Sequence, residues 1–548
     1  MEHGAGTGGD ILPPLPPAGG PGPEGGSAGA PLNEAGPATT HRRARRTRWQ
    51  FPTFWPLAAV LAVQSVLSLR LVRADTAFQD EALYLWGGHL EWAHWLHGQP
   101  LPPFPTYFSG APVLYPPLGA LADSLGGLTG ARVLSLVFML GATVLVWDSA
   151  RRIDGPRTAF FAAALFATLG PTLHVGSFAT YDALSVLLIA VAAWLVIRAA
   201  GRQDATGSMV AAGAALALAN ASAYSSALFD PVVVAIAFLV AYPRCGARAA
   251  AGRIATLLTV TVALLGAGLL IGGADYGHGI TMTTLGPVAG SDSAPTVLAH
   301  AWSWTGLVII AAVAGVAFSW VRNRGGWLTW LLAVLTVAAL LGPLEQAILH
   351  TTAPLNKHVD LGAWFAAIAA GYAVDKLIAT VPDDRSRAVT AIACVVALAF
   401  PASLGSTQSY AFATAWPNSS TFVAIFRPLA SQGSGHLLVE DPSIAKYYLA
   451  AGSDWQRWSS TRNIVLPSGA STGGPSEAVG VIGPGNAGSF AQYIAQGYFS
   501  YVALNFADTT ALDLQIRADI RRNPGYRIVQ VVPYGQGTYV IFKYEPPK

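Results

Sequence analysis

The chain has 548 residues, of which 53% are hydrophobic and only 11% are charged. Soluble proteins carry roughly 25% charged residues, so the composition argues against a soluble globular protein. The two cysteines, Cys245 and Cys394, offer neither a disulfide framework nor a thiolate metal site. The formal net charge of +3 indicates little by itself, whereas the positions of the basic residues along the chain are informative.

The first 50 residues differ in composition from the rest of the chain. Residues 1–40 are rich in Gly, Pro and Ala and contain few large apolar side chains. Such a stretch cannot bury enough apolar surface to offset its ordering entropy, which predicts disorder in 1–50. The arginine-rich run 42–48 follows. Because a hydrophobic helix comes next, this run indicates a cytoplasmic anchor near anionic lipid rather than a nucleic-acid site.

The apolar residues are grouped in long blocks. A membrane-spanning helix needs about 20 mainly apolar residues, because no water in the bilayer core can satisfy an open backbone. We therefore predict an α-helical polytopic membrane domain of about eleven transmembrane helices within 51–405. The predicted spans are 54–72, 131–149, 158–174, 183–199, 208–224, 229–243, 254–272, 301–320, 327–346, 359–377 and 388–405.

The basic residues predict the orientation of these helices, since cytoplasmic loops carry most of the Arg and Lys. The opposite set of loops offers Lys357, with Arg73 and Arg132 at helix edges. We therefore expect a cell-membrane protein with a cytoplasmic N terminus and, after eleven crossings, an extracytoplasmic domain at 406–548. The basic loops are 42–48, 151–157, 198–202, 244–253, 322–324 and 376–387.

The C-terminal segment 406–548 is less apolar and predicts a small α/β domain. Asp441-Pro442 ahead of Ser443–Ala451 is a helix start signal, and Gly452 is a stop signal. The stretch 533–537 predicts a hairpin turn. The apolar runs that predict strands are 436–440, 478–482, 500–506, 527–532 and 538–544.

Two adjacent acids, Asp80 and Glu81, lie in the aromatic-rich outer loop 73–130. Acids in such an interfacial setting could supply a general base or hold a divalent metal. They would equally suit the first turn of a solvated helix, where the helix dipole favours negative charge. The residues alone leave both interpretations open.

Three further polar residues stand at predicted outer helix ends. Asp182 follows Tyr181 in the short link 176–182 and is either a functional acid or the N-cap of the next helix. Lys357 could bind a lipid phosphate or extend its side chain to the headgroups. The neighbouring His358 could assist the phosphate or serve as a metal ligand.

The stretch Asp80–Tyr84 resembles the Asp-Glu-Ala-x-Tyr signature of GT-C glycosyltransferases, in particular protein O-mannosyltransferases and lipid A aminoarabinose transferases. Tyr115–Leu118 resembles the Lys-Pro-Pro-Leu stretch of that group, and Gly130–Ser135 resembles the start of its second helix. Tyr181–Leu184 resembles the acid at its fourth helix. The chain departs from the group at Tyr115, where relatives often carry a basic residue that holds the donor phosphate.

This resemblance implies an inverting transfer of a sugar from a polyprenyl-phosphate donor to a hydroxyl acceptor on the extracytoplasmic side. Asp80 would remove the acceptor proton, and Asp182 would orient Asp80 or the acceptor. Glu81 would support either acid or a metal. Lys357, His358 or Arg132 would steady the departing phosphate, since charge develops there in the transition state. The implied substrate-binding residues are Tyr84, Tyr115, Arg132, Tyr181, Lys357 and His358.

The implied partners are the polyprenyl-phosphate-sugar donor, membrane lipids and a protein, lipid or polysaccharide acceptor, with no nucleic acid. No cofactor is certain, and a divalent metal stays open. Two other classes also fit a polytopic chain: a multi-pass transporter and a non-catalytic scaffold of the cell envelope. Transporters gather polar residues near the membrane midplane, whereas the polar clusters here lie in outer loops, which argues against a transporter.

Overall fold

The protein is described by a computed structural model that covers residues 55–106, 108–286, 289–380, 387–432, 434–450, 452–461 and 486–547. The predicted disorder at 1–50 and the predicted strand at 478–482 both lie outside the described residues. The described chain is helical up to residue 430 and ends in a small domain with one sheet.

In the described residues, thirteen α-helices precede the C-terminal domain. They are α1 (Trp55–Leu69), α2 (Gln79–His97), α3 (Tyr115–Ile153), α4 (Pro156–Ala167), α5 (Gly170–Val175), α6 (Asp182–Arg198), α7 (Thr206–Ser222), α8 (Asp230–Gly272), α9 (Ala274–Ile280), α10 (Ala294–Asn323), α11 (Trp327–Ile348), α12 (Leu355–Ile378) and α13 (Arg387–Ala413). Every predicted span coincides with helix, although 158–174 is divided between α4 and α5. The last helix, α13, continues past the predicted boundary at 405.

Length and apolar composition qualify five stretches of the described chain as membrane-spanning helices. They are α3, α8 with the turn before it from Tyr224, α10, α11 and α12. The helices α1 and α4 are apolar but shorter. The predicted architecture of a helical membrane protein is therefore confirmed in its class.

Two of the long helices are kinked at glycine. Gly127 divides α3 with φ 61°, and Gly246 divides α8 with φ 78°. Positive φ costs other residues steric strain, so glycine is the residue that such a bend requires. In α8 the bend separates the predicted spans 229–243 and 254–272. In α3 it separates the predicted span from an earlier segment that begins at Tyr115.

Small residues bring the central helix α12 close to its neighbours. A Cβ added at Gly371 would lie 2.5 Å from the backbone nitrogen of Ala162 in α4, and one at Gly362 would lie 2.4 Å from the carbonyl oxygen of Ala338 in α11. Such contacts let helix backbones pack tightly in a membrane bundle. We call the end of the bundle where α6 and α12 begin the site end, and the other end the far end.

The described residues of the C-terminal domain form four α-helices and a five-stranded sheet, which confirms the predicted α/β class. The sheet order is β2-β1-β3-β5-β4, with β1 parallel to β2 and β3, and β5 antiparallel to β3 and β4. The elements are α14 (Ser420–Ala430), β1 (His436–Val439), α15 (Pro442–Leu449), β2 (Trp458–Ser459), α16 (Asn486–Ala495), β3 (Phe499–Leu504), α17 (Thr510–Arg522), β4 (Tyr526–Tyr534) and β5 (Gly537–Tyr544).

This domain lies against α2 and the segment that leads into it. The Tyr448 hydroxyl accepts a hydrogen bond from the backbone N–H of Ala77 at 2.9 Å, and the Trp416 indole donates to the carbonyl of Thr76 at 3.0 Å. The Tyr447 hydroxyl donates to Asp123 in α3 at 2.6 Å. These contacts fix the position at which α2 begins.

Candidate active site

The acids Asp80 and Glu81 lie in the first turn of α2. Glu81 accepts a hydrogen bond from the backbone N–H of Phe78 at 3.0 Å, as a residue at that position of a capping box does. Acids are also favoured there by the helix dipole. Glu81 therefore has the role of a helix-start residue. Because Asp80 and Glu81 are adjacent in the first turn of a helix, their side chains point to different surroundings.

Glu81 is fully buried and forms a two-point ion pair with Arg132 of α3. The Arg132 Nε donates to one carboxylate oxygen at 2.7 Å, and Nη2 donates to the other at 2.6 Å. Together with the Phe78 N–H described above, the backbone N–H of Ala179 brings the hydrogen bonds to Glu81 to four, at a distance of 2.8 Å. The carboxylate is thus occupied within the protein.

The remaining donors of Arg132 are also occupied. They reach the carbonyl oxygens of Val72, Asp75 and Thr76 at 3.0, 2.9 and 3.1 Å. A guanidinium has five N–H donors, and all five are bound here. The expected role of Arg132 as a phosphate contact finds no free donor in this arrangement. These hydrogen bonds instead connect the segment before α2 to the membrane helix α3.

Asp80 faces a different partner, Lys357 in the first turn of α12. The Lys357 ammonium group lies 2.7 Å from Asp80 Oδ2 and 3.8 Å from Asp182 Oδ2. Thr180 donates to the same Asp182 oxygen at 2.6 Å. Three residues that the sequence singled out separately therefore meet at the site end of the bundle. We refer to Asp80, Lys357 and Asp182 as the charged triad.

Exposure distinguishes the members of the triad. The Asp80 side chain is 34% exposed, whereas those of Lys357 and Asp182 are 10% and 7% exposed. An arriving molecule would therefore reach Asp80 first and would find the ammonium group directly behind it.

Aromatic rings surround the triad. The rings of Tyr84 and Tyr181 lie 4.9 Å apart, and the Lys357 ammonium lies 5.8 Å from the centre of the Phe178 ring. Burial, with a contribution from Tyr181, raises the pKa of Tyr84 well above its usual value. Burial and Asp182 raise the pKa of Tyr181 to about 12. Both hydroxyls therefore stay protonated at neutral pH and can donate hydrogen bonds.

Two predicted binding residues lie in other surroundings. Tyr115 is fully buried in an aromatic cluster with Tyr84 and Tyr181, so it supports the site rather than lining its surface. His358 faces α11, where its Nδ1 lies 2.9 Å from the Gln346 side-chain nitrogen and 3.3 Å from a Glu345 oxygen.

Asp360, to which the sequence pattern assigned no role, is fully buried in α12. Its carboxylate accepts a hydrogen bond from the Thr172 hydroxyl of α5 at 2.5 Å. An acid within a predicted span was the available signal, because such residues are rare in membrane helices. Thr180 was also missed, since a threonine beside an acid is too common a pattern to be informative.

A divalent metal, which the sequence left open, does not fit the described residues. Within them, no group of three or more His, Cys, Asp or Glu side chains is arranged to hold a metal ion. Glu81 is committed to Arg132, and the Lys357 ammonium occupies the position between Asp80 and Asp182 that a shared cation would need. We therefore derive no step through a metal.

Comparison with known families gives one match. The family model of dolichyl-phosphate-mannose-protein mannosyltransferases matches residues 119–270. This segment includes Arg132 and Asp182 and lies between the other two members of the charged triad. No curated protein is significantly similar to the chain.

Solved structures match over most of the chain. The oligosaccharyltransferase of Archaeoglobus fulgidus in its apo form is 13% identical with a TM-score of 0.57, covering 91% of this chain and 75% of that one. ArnT from Cupriavidus metallidurans bound to undecaprenyl phosphate is 15% identical with a TM-score of 0.58, covering 90% and 100%. The archaeal enzyme AglB of Archaeoglobus fulgidus with an inhibitory peptide and a dolichol-phosphate is 13% identical with a TM-score of 0.53, covering 90% and 74%.

At these identities the structures establish the fold, which is that of the polytopic GT-C membrane proteins. The fold and the family match over residues 119–270 both support the GT-C superfamily of membrane glycosyltransferases. The resemblance inferred from Asp80–Tyr84 and the stretches that follow it is therefore confirmed at the level of the superfamily.

Proposed function

We propose that this glycosyltransferase moves a sugar from a polyprenyl-phosphate donor to a hydroxyl acceptor on the extracytoplasmic side of the membrane. The observation that carries the proposal is the 2.7 Å contact between the Lys357 ammonium and the partly exposed Asp80 carboxylate. One group can bind a phosphate and the other can accept a proton, and the transfer needs both. ArnT bound to undecaprenyl phosphate, a solved structure of the same fold, supports the lipid class of the donor.

The resting contact suggests how the site is activated. Without donor, Lys357 neutralises Asp80 and orients its carboxylate. A donor phosphate entering beside Lys357 would compete for the ammonium group, because phosphate binds cations strongly through charge-assisted hydrogen bonds. Asp80 would then be free to accept a hydrogen bond from the acceptor hydroxyl, while Lys357 keeps its 3.8 Å contact with Asp182.

In the transfer step the acceptor oxygen attacks the anomeric carbon from the face opposite the phosphate. The new carbon–oxygen bond forms as the bond to the phosphate oxygen breaks, and the departing polyprenyl phosphate keeps that electron pair. Asp80 takes the acceptor proton as general base. Lys357 steadies the negative charge that grows on the phosphate. Attack from the opposite face inverts the anomeric configuration.

The other predicted site residues would act by position. Asp182 holds Lys357 from the buried side, and the Glu81–Arg132 pair fixes the first turn of α2, on which Asp80 stands. Tyr84 and Tyr181, which are buried beside the triad, would support the sugar site from behind and keep its charged groups in position. A protein, a lipid or a polysaccharide could supply the acceptor hydroxyl. The C-terminal domain, which contacts the start of α2, is positioned to influence that choice.

The experiment that tests the function is a donor panel. Purified protein in nanodiscs would be offered polyprenyl-phosphate sugars one at a time with envelope extract as acceptor, and release of polyprenyl phosphate would be followed. We expect release from one donor and a product of inverted anomeric configuration by NMR. Retained configuration would contradict the single-displacement mechanism. Release from no donor, with correctly folded protein, would favour the scaffold or transporter interpretation.

A further inference from the structure

A cavity of about 230 Å³ opens at the far end of the bundle, remote from the charged triad. It lies between the ends of α3 and α6, the middle of α8 and the start of α11. Arg152, Arg198 and Arg244 reach it from three different helices, and Trp327 forms part of its wall. Sites that enclose a drug-sized molecule measure about 300–1,000 Å³, so this cavity suits a smaller charged group.

The cavity carries an excess of positive charge. Asp148 of α3 pairs with Arg152 at 2.6 Å and with the neighbouring Arg151 at 2.5 Å. Among the ion pairs of the described residues, neither Arg198 nor Arg244 has a carboxylate partner. Two guanidinium groups at one opening therefore have no carboxylate counter-ion within the described part of the chain.

Aromatic rings hold these two guanidinium groups in place. Arg244 lies over the Trp327 ring, 4.7 Å from its centre, and Arg198 lies over Trp194 at 4.9 Å. The Trp194 indole is itself fixed by a 2.8 Å hydrogen bond to Asp148. An arginine stacked on an aromatic ring is ordered before any ligand arrives, which reduces the entropy lost on binding.

We propose that this cavity binds the phosphate group of an anionic phospholipid. The planar fork of arginine matches the paired oxygens of a phosphate, and the tryptophans suit the headgroup level of a membrane. Basic pockets between membrane helices on the cytoplasmic side are suited to anionic headgroups. In the predicted orientation the far end faces the cytoplasm, whose leaflet carries such lipids. The site is independent of the proposed transfer reaction.

The test measures lipid binding by the full-length protein. Detergent-purified protein would be titrated with phosphatidylglycerol, and native mass spectrometry would give the bound fraction, with phosphatidylcholine as the uncharged baseline. The pocket variant is Arg198→Gln with Arg244→Gln. The control variant, Arg322→Gln with Arg324→Gln, removes the same charge from exposed positions at the same end of the bundle.

A charge-assisted hydrogen bond between an arginine and a phosphate contributes at least about tenfold in affinity, so we expect the pocket variant to bind phosphatidylglycerol at least about tenfold more weakly. The control should bind as the wild type does. Equal weakening in both variants would show general attraction to surface charge and overturn the proposal. Displacement of phosphatidylglycerol by an equal concentration of inorganic phosphate would also overturn it, because the ligand would then be free phosphate.

A second variant keeps the proposal testable if the first variant misfolds. Arg198→Lys with Arg244→Lys keeps both charges and removes the planar fork. We expect it to melt at the wild-type temperature and to bind phosphatidylglycerol several-fold more weakly. Unchanged affinity in this folded variant would contradict the built arginine site.

Discussion

At the residue scale, the key contact joins two positions 277 residues apart, Asp80 and Lys357. The sequence marked both residues as candidates, because an acid pair in an aromatic loop and a lone outer cation are unusual patterns. It could not pair them, since that requires the packing of α2 against the start of α12. The same packing explains why Lys357, and not its neighbour His358, lies at the triad.

Glu81 and Arg132 illustrate the opposite outcome. The family resemblance implied that Glu81 would support either acid or a metal, and it named Arg132 beside Lys357 and His358 as a group that could steady the phosphate. In the structure, Glu81 and Arg132 form a buried ion pair with each other. Which cation faces the substrate depends on side-chain direction across two helices, and no local pattern encodes that.

The first prediction concerns this buried pair. Arg132→Met leaves the Glu81 carboxylate buried without its counter-ion, which costs about 3–5 kcal/mol of stability. We expect a clearly lowered melting temperature for the purified variant. Glu81→Gln combined with Arg132→Met should recover part of the loss, because no charge then remains unpaired. If Arg132→Met melts like the wild type but loses donor affinity, Arg132 contacts the donor phosphate after all.

At the element scale, every predicted hydrophobic span coincides with helix, but the spans include neither α2 nor α9 and do not show the bends. The predicted spans 229–243 and 254–272 are two arms of one kinked helix, α8, and the span 131–149 is the second arm of α3. A glycine within an apolar block does not by itself predict a bend, because glycines are frequent and tolerated in membrane helices.

The bend in α3 gives the second prediction. Gly127 has φ 61° and ψ −163°, a backbone region open essentially to glycine alone. Gly127→Ala should therefore cost about 1–3 kcal/mol, seen as a lower melting temperature. Gly126→Ala is the matched control, since both positions have open space for a Cβ and only Gly127 has a positive φ. Equal melting temperatures would refute the strain argument.

In the C-terminal domain, an acid pair lies between β1 and α17. The Glu440 carboxylate accepts hydrogen bonds from the backbone N–H groups of 505–509, an arrangement that suits its charged form. Burial and the adjacent Glu440 raise the pKa of Asp513 to about 8. We therefore assign the proton of this pair to Asp513 at neutral pH.

The third prediction follows from the raised pKa of Asp513. Between about pH 4 and pH 8 the folded chain holds a proton that the unfolded chain releases, so the free energy of unfolding falls as pH rises through that range. Asp513→Asn cannot titrate and should remove this fall. Melting curves of the full-length protein from pH 5 to pH 9 measure the difference. Asp519→Asn, on the same helix and paired with Arg522, serves as control and should keep the wild-type profile.

The elements of the C-terminal domain were predictable where they are long and apolar. Strands β1, β3, β4 and β5 correspond to predicted runs, and the turn between the last two contains Gly535 with φ 60°. The two-residue strand β2 was missed, because a strand that short has no periodicity of its own. It forms only because β1 offers a parallel edge beside it.

At the scale of the whole molecule, the two ends of the bundle have different chemistry. The site end combines acids, one lysine and aromatic rings, and the far end carries arginines around a cavity. The helices α3, α6 and α12 run from one end to the other. This polarity agrees with the grouping of Arg and Lys along the sequence, and the orientation in the membrane stays a prediction.

The fourth prediction tests that orientation by cysteine labelling. In a background with Cys245→Ser and Cys394→Ser, we place single cysteines at the exposed positions Ser291, Gln515 and Gln203. A membrane-impermeant maleimide added to intact cells should label Ser291→Cys and Gln515→Cys. It should label Gln203→Cys, in the loop after α6, only after the cells are permeabilised. The reverse pattern would place the charged triad on the cytoplasmic side and contradict the proposed function.

The most direct test of the central claim is the rate at which Asp80→Asn releases polyprenyl phosphate from the donor that the wild type accepts. A general base contributes about 10²–10⁴-fold, so we predict a loss of at least about a hundredfold in nanodiscs under single-turnover conditions. Asp275→Asn, an exposed acid in α9, is the matched control and should retain the wild-type rate. Release by Asp80→Asn at the wild-type rate would contradict the assignment of Asp80 as the base.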